Sequence, residues 1–302
     1  MSHQNSSVKS IVFALLANLG IAITKTIAAI ITSSGAMLAE SIHSFADCGN
    51  QGLLFLGLKV SKKGPSPDHP LGHGKAIFFW SFVVALILFS MGGLFSIYEG
   101  IHKLNSTDEI SSPFVAIGVL SISMIMEGAS LWGCINQISK IKGKQSLWKW
   151  TINSRKSELI VILGEDVAAL FGLSFALLSV VLSMVTGNPV FDAIGSIGIG
   201  VLLVFVSIFL AIKTEGLLIG QSVDPEVRSD IVNFLEARPE VEKVLNLITQ
   251  QLGEKIMVAV KAKMIQTSTA EELIQNINRC EVALKNHNKA IQWSFFEPDI
   301  ED

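Results

Sequence analysis

Six apolar stretches, each about as long as a lipid bilayer is thick, occupy most of the first 215 residues of this chain. A membrane-spanning helix needs roughly 20 apolar residues. Only 16% of the chain is charged, whereas soluble domains carry about 25% charged residues. The sequence therefore predicts transmembrane helices at about 10–32, 36–60, 77–102, 113–134, 158–184 and 190–212.

Residues 216–302 have the pattern of a soluble domain. Asp224 and Thr269 each precede a helical pattern as N-cap residues. Alternating apolar residues and turn signals predict strands at 241–251, 255–264 and 290–296. The order α-β-β-α-β indicates a ferredoxin-like α+β domain. The predicted fold is thus an α-helical polytopic membrane protein with six transmembrane helices over 1–215, followed by this cytoplasmic domain over 216–302.

Basic residues are concentrated in two loops between the predicted spans, and this bias sets the orientation. They are Lys59, Lys62, Lys63 and Lys75 after the second span, and Lys140, Lys142, Lys144, Lys149, Arg155 and Lys156 after the fourth. The opposite loops contain only Lys103. Because basic loops stay in the cytoplasm, both termini are predicted to be cytoplasmic. The first stretch is too long for a signal-peptide core, and the short loops favour a bacterial inner membrane.

Ionisable residues lie inside two of the predicted spans, where they are costly and rarely kept without a function. Glu40, His43 and Asp47 lie in the second span, and their spacing places them on one helical face. Glu165 and Asp166, in the fifth span, point about 100° apart, and we expect Asp166 to face the second span. His43, Asp47 and Asp166 are candidate ligands of zinc, manganese, iron(II) or cobalt. Glu165 or Glu40 would complete this set, and the alternative is a structural polar cluster that binds no ion.

Three further charged residues lie in or at the ends of the predicted spans, outside the proposed ligand set. Lys25, within the first span, would neutralise Glu40 or Glu165 when the site is empty, or else extend toward the membrane surface or form a purely structural pair. Glu158 is expected to line a cytoplasmic entrance to the site. Asp192, at the start of the last span, is expected to cap a helix.

The loop after the second span contains Asp68, His69 and His73. These residues are candidates for a peripheral metal site, although two histidines in a loop rich in proline and glycine also serve to fix its conformation. Glu127, in the fourth span, receives no predicted role. Small residues in the last span permit close helix packing; they are Gly195, Gly198 and Gly200.

Several segments of the chain resemble the cation diffusion facilitator family. They are SGAMLAESIHSFADCGNQ in the second span, DHPLGHGKA in the loop after it, GED in the fifth span and WSFFEPD near the end. The last two look like the branch of that family that contains the ninth human zinc transporter. The resemblance covers about residues 9–299. It implies a homodimer that exports a divalent metal cation, commonly zinc, against an inward flow of protons.

The resemblance also assigns roles to single residues. The family's transport site uses two ligands four residues apart on the second span and two on the fifth. His43 and Asp47 match the first pair, and Asp166 matches the second acid of the other pair. The remaining position falls on Ile162, which cannot coordinate a metal. One of the two candidate glutamates would replace it and make the site richer in oxygen, a change that favours harder ions such as manganese.

His69 and His73 match loop positions that bind zinc in some family members. The cytoplasmic domain has few histidines, so it is expected to dimerise without a full metal cluster. No enzymatic activity, prosthetic group or nucleic-acid partner is predicted. Two alternatives to proton-coupled transport stay open, namely a cation channel and a non-transporting regulatory or scaffold protein of the same fold.

Overall fold

The computed structural model describes residues 18–104 and 112–301 of the chain. The helices are α1 (Asn18–Thr32), α2 (Gly35–Ser61), α3 (Ala76–Leu104), α4 (Pro113–Ile141), α5 (Leu147–Asn153), α6 (Ser157–Thr186), α7 (Val190–Ile219), α8 (Pro225–Glu236) and α9 (Ala270–His287). The strands are β1 (Val241–Leu252), β2 (Lys255–Met264) and β3 (Ile291–Pro298). The beginning of the first predicted span lies outside the described residues.

Four helices in the described part of the chain, α3, α4, α6 and α7, are long and apolar enough to cross a membrane. Each has 29 or 30 residues, more than the roughly 20 that a bilayer requires. Helix α2 has 27 residues, but Glu40, His43 and Asp47 make it more polar. Helix α1 is described only from Asn18. The number of six spans therefore stays a prediction.

The described residues form two compact units. The first contains residues 18–57, 79–104, 112–147 and 158–214, and the second contains residues 58–78, 148–157 and 215–301. The predicted division of the chain into residues 1–215 and 216–302 stays a prediction.

Helices α3 and α7 of the first unit approach each other closely because both have glycine at their contact. A Cβ atom added to Gly200 would lie 2.6 Å from the carbonyl oxygen of Gly93 and 2.7 Å from the backbone nitrogen of Ile97. One added to Gly100 would lie 2.8 Å from the carbonyl oxygen of Ala193. Real side chains do not reach such distances, so glycine is required for this backbone contact.

Helix α3 is not a continuous α-helix. Its middle, Leu88–Leu94, is π-helical, and the backbone N–H of Phe95 donates to the carbonyl oxygens of Gly92 and Ser90 at the end of this segment. π-Helical turns are rare and frequently lie at functional sites. Gly92 lies beside His43, since a Cβ atom added to this glycine would be 3.9 Å from Nδ1 of the histidine.

The second unit is built around a three-stranded sheet with the order β1-β2-β3. Strands β1 and β2 pair antiparallel, and β2 and β3 pair parallel. The side chains of Asp224 and Thr269 cap α8 and α9, as predicted, by accepting from the backbone N–H groups of Glu226 and Glu272. The core lies between the sheet and these helices and includes Ile231, Leu235, Leu247, Val258, Val260, Cys280 and Leu284.

Two loop segments belong to the second unit and contact its backbone directly. Gly74 packs so closely on the carbonyl group of Leu252 that an added Cβ atom would overlap it. Nε of Arg155 donates to the carbonyl oxygen of Ser222 at 2.7 Å. The loop with the two predicted histidines therefore rests on the turn between β1 and β2.

Candidate metal site

Helix α2 presents a polar face in the interior of the first unit. Glu40, His43, Asp47 and Asn50 follow one another at intervals of three or four residues, which is the spacing of one helical face. Glu40 and Asn50 are fully buried, and His43 is 1% exposed. Asp47 is partly buried, and its Oδ2 lies 3.5 Å from Nε2 of His43.

Much of the hydrogen-bonding capacity of this face is unused. Among the described residues, no hydrogen-bond partner exists for Oε1 of Glu40, either ring nitrogen of His43, Oδ1 of Asp47 or Oδ1 of Asn50. A buried polar atom without a partner costs about 1–3 kcal/mol. Five such atoms on one face are the arrangement expected of a site that binds a polar or charged ligand.

Helix α6 supplies the acids on the opposite side, but their assignment differs from the prediction. Oε1 of Glu165 accepts a hydrogen bond of 2.6 Å from Nδ2 of Asn50, so Glu165 is the residue that contacts α2. Both carboxylate oxygens of Asp166 accept from Oγ of Ser130 on α4 at 3.2 Å. The expectation that Glu165 is turned away from α2 was wrong. Adjacent helical residues point about 100° apart, so Glu165 reaches α2 while the neighbouring Asp166 accepts its hydrogen bonds from α4.

Glu127 on α4 joins this acidic group, although no role was predicted for it. Its carboxylate interacts electrostatically with those of Asp47, Glu165 and Asp166. Several carboxylates at close range repel one another unless a cation or protons neutralise them. An isolated acid in an otherwise apolar span was the signal for Glu127, but no spacing rule connects α4 to the other two helices.

Glu40 is already paired with a cation of the chain itself. Nζ of Lys25 lies 3.2 Å from Oε2 of Glu40 and donates to Oγ of Ser44 at 2.8 Å. The side chains of Lys25 and Glu40 are both 0% exposed. Of the two predicted partners of Lys25, the structure therefore selects Glu40 over Glu165, and a buried charge without this pairing would be strongly destabilising.

Two other residues of α6 were considered in the sequence analysis, Ile162 and Glu158. Ile162 is partly buried and offers no ligand atom. Glu158 lies partly buried in the first turn of α6. Across the described residues, no three histidine, cysteine, aspartate or glutamate side chains converge closely enough to form a complete metal coordination shell in this conformation.

Asp192 caps a helix, as expected, but the helix is α2 rather than its own. Its carboxylate accepts from Oγ of Ser34 and the backbone N–H of Gly35, both at 2.6 Å. Nζ of Lys103 lies 3.5 Å away and also donates to the carbonyl oxygen of Ser33. Negative charge at a helix N-terminus is favourable, so this cluster holds the helix that presents His43 and Asp47.

The predicted peripheral residues lie in the second unit. The imidazole rings of His69 and His73 are stacked, with their centroids 4.2 Å apart, while Asp68 is exposed. His73 also lines a cavity of about 240 Å³ together with Lys62, Lys63 and Lys255. The basic surroundings oppose the binding of a cation, and the peripheral metal site stays a prediction.

The chain is similar to known proteins over the part that contains the candidate site. The family model of the cation efflux transmembrane domain matches residues 11–219. The human "Proton-coupled zinc antiporter SLC30A9, mitochondrial" is 36% identical over 232 residues, which cover 76% of this chain and 41% of that protein. "Metal tolerance protein C4" of Arabidopsis thaliana is 33% identical over 226 residues, or 74% of this chain and 49% of that protein. The chain thus spans less than half the length of these two relatives.

A bacterial relative matches over more of its own length. "Magnetosome protein MamB" of Magnetospirillum gryphiswaldense is 26% identical over 256 residues, which cover 83% of this chain and 80% of that protein. The family domain covers more than half of the chain, and it includes every candidate residue of α1, α2, α4 and α6. The chain therefore belongs to the cation diffusion facilitator family of membrane metal transporters.

Proposed function

We propose that this chain exports a divalent metal cation, zinc first, in exchange for protons. The observation that supports this proposal most directly is the row of buried nitrogen and oxygen atoms without partners on α2, facing the acids of α6. Imidazole nitrogen and carboxylate oxygen suit zinc, and also manganese, iron(II) and cobalt. The human relative is named a proton-coupled zinc antiporter, which supports both zinc and the exchange.

The proposed ligands are His43, Asp47, Glu165 and Asp166. Glu165 takes the place of the ligand missing at Ile162, because Glu40 is held by Lys25. Metal ligands must be deprotonated to bind, so an ion entering from the cytoplasm displaces protons from the imidazole and the carboxylates. Protons from the other side then compete the ion off, and the protonated site returns. Glu158 lines the cytoplasmic entrance in this scheme.

The proposed transporter is a homodimer in a bacterial inner membrane, with α1 and α2 completing six spans and both termini in the cytoplasm. Residues 216–302 form a ferredoxin-like dimerisation domain. One face of its sheet is covered by α8 and α9, and the other exposes a row formed by the paired residues Ile248, Ala259 and Phe295. Ile248 is 60% exposed and Phe295 56%, and a second copy of the chain would cover this apolar row.

The test is metal uptake into proteoliposomes with an imposed pH gradient, offering zinc, manganese, iron(II), cobalt and cadmium in turn. We expect saturable zinc uptake that requires the gradient and is abolished in Asp47→Ala and Asp166→Ala. Glu271→Gln, which changes an exposed acid of α9, serves as the matched control and should transport like the parent. Uptake by both site variants at the parental rate would refute the site. Uptake that does not saturate would favour a channel, and no uptake of any ion would favour a regulatory or scaffold protein.

A further inference from the structure

Asn50 occupies a special position in the candidate site, although no sequence motif drew attention to it. It lies on α2 one turn beyond Asp47 and is 0% exposed. Its Nδ2 donates to Oε1 of Glu165 at 2.6 Å. Its Oδ1 is buried and has no hydrogen-bond partner among the described residues. A fully buried amide that uses only its donor leaves a desolvated carbonyl oxygen, which is costly in a protein interior.

The direction of the amide follows from helix geometry. At about 100° per residue, Asp47 lies about 40° to one side of His43 around the axis of α2, and Asn50 about 20° to the other side. The three side chains thus share a face within a sector of about 60°. The hydrogen bond to Glu165 directs the same amide toward α6. The unpaired carbonyl oxygen therefore lies on the face that presents the proposed ligands.

We propose that Asn50 is a specificity-determining ligand of the transported ion, an inference that rests on the proposed function. Its N–H group positions the carboxylate of Glu165, and its carbonyl oxygen completes the coordination shell. Together they replace the ligand missing at Ile162 by two oxygen atoms. Carbonyl and carboxylate oxygens suit harder cations such as Mn²⁺, whereas nitrogen and sulfur suit Zn²⁺. The site therefore accepts Mn²⁺ as well as Zn²⁺.

The test compares Mn²⁺ and Zn²⁺ uptake by the full-length chain in proteoliposomes, for the parent, Asn50→Leu and Asn50→Cys. Leucine removes both polar groups at similar volume, and cysteine replaces the hard oxygen by a soft sulfur. We expect both variants to lower the apparent affinity for Mn²⁺ about tenfold more than that for Zn²⁺, the lower end of the 10–100-fold effect seen when groups around a metal are altered. Equilibrium Mn²⁺ binding, measured by electron paramagnetic resonance on the purified protein, should weaken in parallel.

Two controls separate the possible outcomes. Asn278→Leu makes the same chemical change at an exposed position of α9 and should leave the ratio of the two affinities unchanged. If Asp47→Ala abolishes uptake while Asn50→Leu and Asn50→Cys keep the parental ratio, the role of Asn50 is wrong and the proposed transport site stands. If Asp47→Ala transports normally, the transport site itself is wrong. Should Asn50→Leu fail to fold, Asn50→Cys, which is smaller and introduces no charge, decides the question alone.

Discussion

Replacing Gly200 by alanine tests the close backbone contact between α3 and α7. The new Cβ atom would lie 2.6 Å from the carbonyl oxygen of Gly93 and 2.7 Å from the backbone nitrogen of Ile97. Ordinary contacts begin at 3.4 Å, so α3 and α7 would have to separate by about 0.8 Å (3.4 Å less 2.6 Å). Both opposing atoms belong to the backbone of α3 and cannot rotate out of the way.

The expected cost follows from two opposing effects. Overpacking a well-packed interface costs about 1–3 kcal/mol, whereas replacing glycine by alanine inside a helix stabilises it by about 1 kcal/mol. We expect a net destabilisation of up to about 2 kcal/mol for Gly200→Ala. At about 2–4 °C per kcal/mol for a large domain, the melting temperature should fall by up to about 8 °C. The measurement is thermal unfolding of the purified chain in detergent, followed by tryptophan fluorescence.

Gly198→Ala is the matched control, since it makes the same change two residues away on the same helix. A Cβ atom there would meet only the ring of Phe175, at an ordinary 3.9 Å. This variant should be as stable as the parent or slightly more stable. If Gly200→Ala and Gly198→Ala unfold at the same temperature, α3 and α7 do not pack backbone to backbone, and the reasoning fails.

Three other predictions concern the cap of α2, the exposed sheet face and the pH dependence of the second unit. Asp192→Asn should weaken the cap by roughly 1 kcal/mol and speed hydrogen exchange in the first turn of α2, and unchanged exchange would contradict the cap. Phe295→Glu should convert the proposed dimer to a monomer in light scattering, whereas Ile274→Glu on α9 should not; equal masses for both variants would refute the sheet-mediated contact. Burial raises the pKa of Glu240, but hydrogen bonds from the backbone and Arg238 outweigh it and hold the pKa below its usual value. The ionised Glu240 thus stabilises the folded state above about pH 4.5, and this stabilisation is lost as the pH falls through the lowered pKa. The difference in hydrogen-exchange protection between the parent and Glu240→Gln should therefore shrink in acid. A difference that stays constant with pH would be inconsistent with this linkage.

The strands and helix caps of the second unit were predictable because their signals are local. Asp224 and Thr269 cap the helices for which their side chains are suited. The alternation in β2 follows directly from one face packing on the core and the other facing outward. The parallel pairing of β2 with β3, which α9 separates in the sequence, is a long-range property. No residue pattern along either strand determines it.

The candidate site shows where local reasoning stops. The spacing of His43 and Asp47 placed them on one face without any knowledge of the other helices. Which acid of α6 contacts α2 depends on the rotation of that helix about its axis, so the spacing of residues along α6 could not show that Glu165 does. The contribution of Asn50 could not be foreseen for a similar reason, since an asparagine in a span becomes distinctive only when the partner of each of its amide atoms is known.

The π-helical segment Leu88–Leu94 sets the rotation of one end of α3 about the helix axis relative to the other end. A π-helical turn contains about one residue more than an α-helical turn. Loss of a single residue from this segment would therefore let the two α-helical parts of α3 continue as one α-helix. Phe95–Leu104 would then turn by about 100° about the helix axis. Gly100 would leave the carbonyl oxygen of Ala193, and Lys103 would leave Asp192. A length change in this apolar stretch, which keeps its hydropathy intact, would therefore disrupt the cap of α2, which lies far from it in the sequence. Relatives that differ in length there must pack the end of α3 through another face.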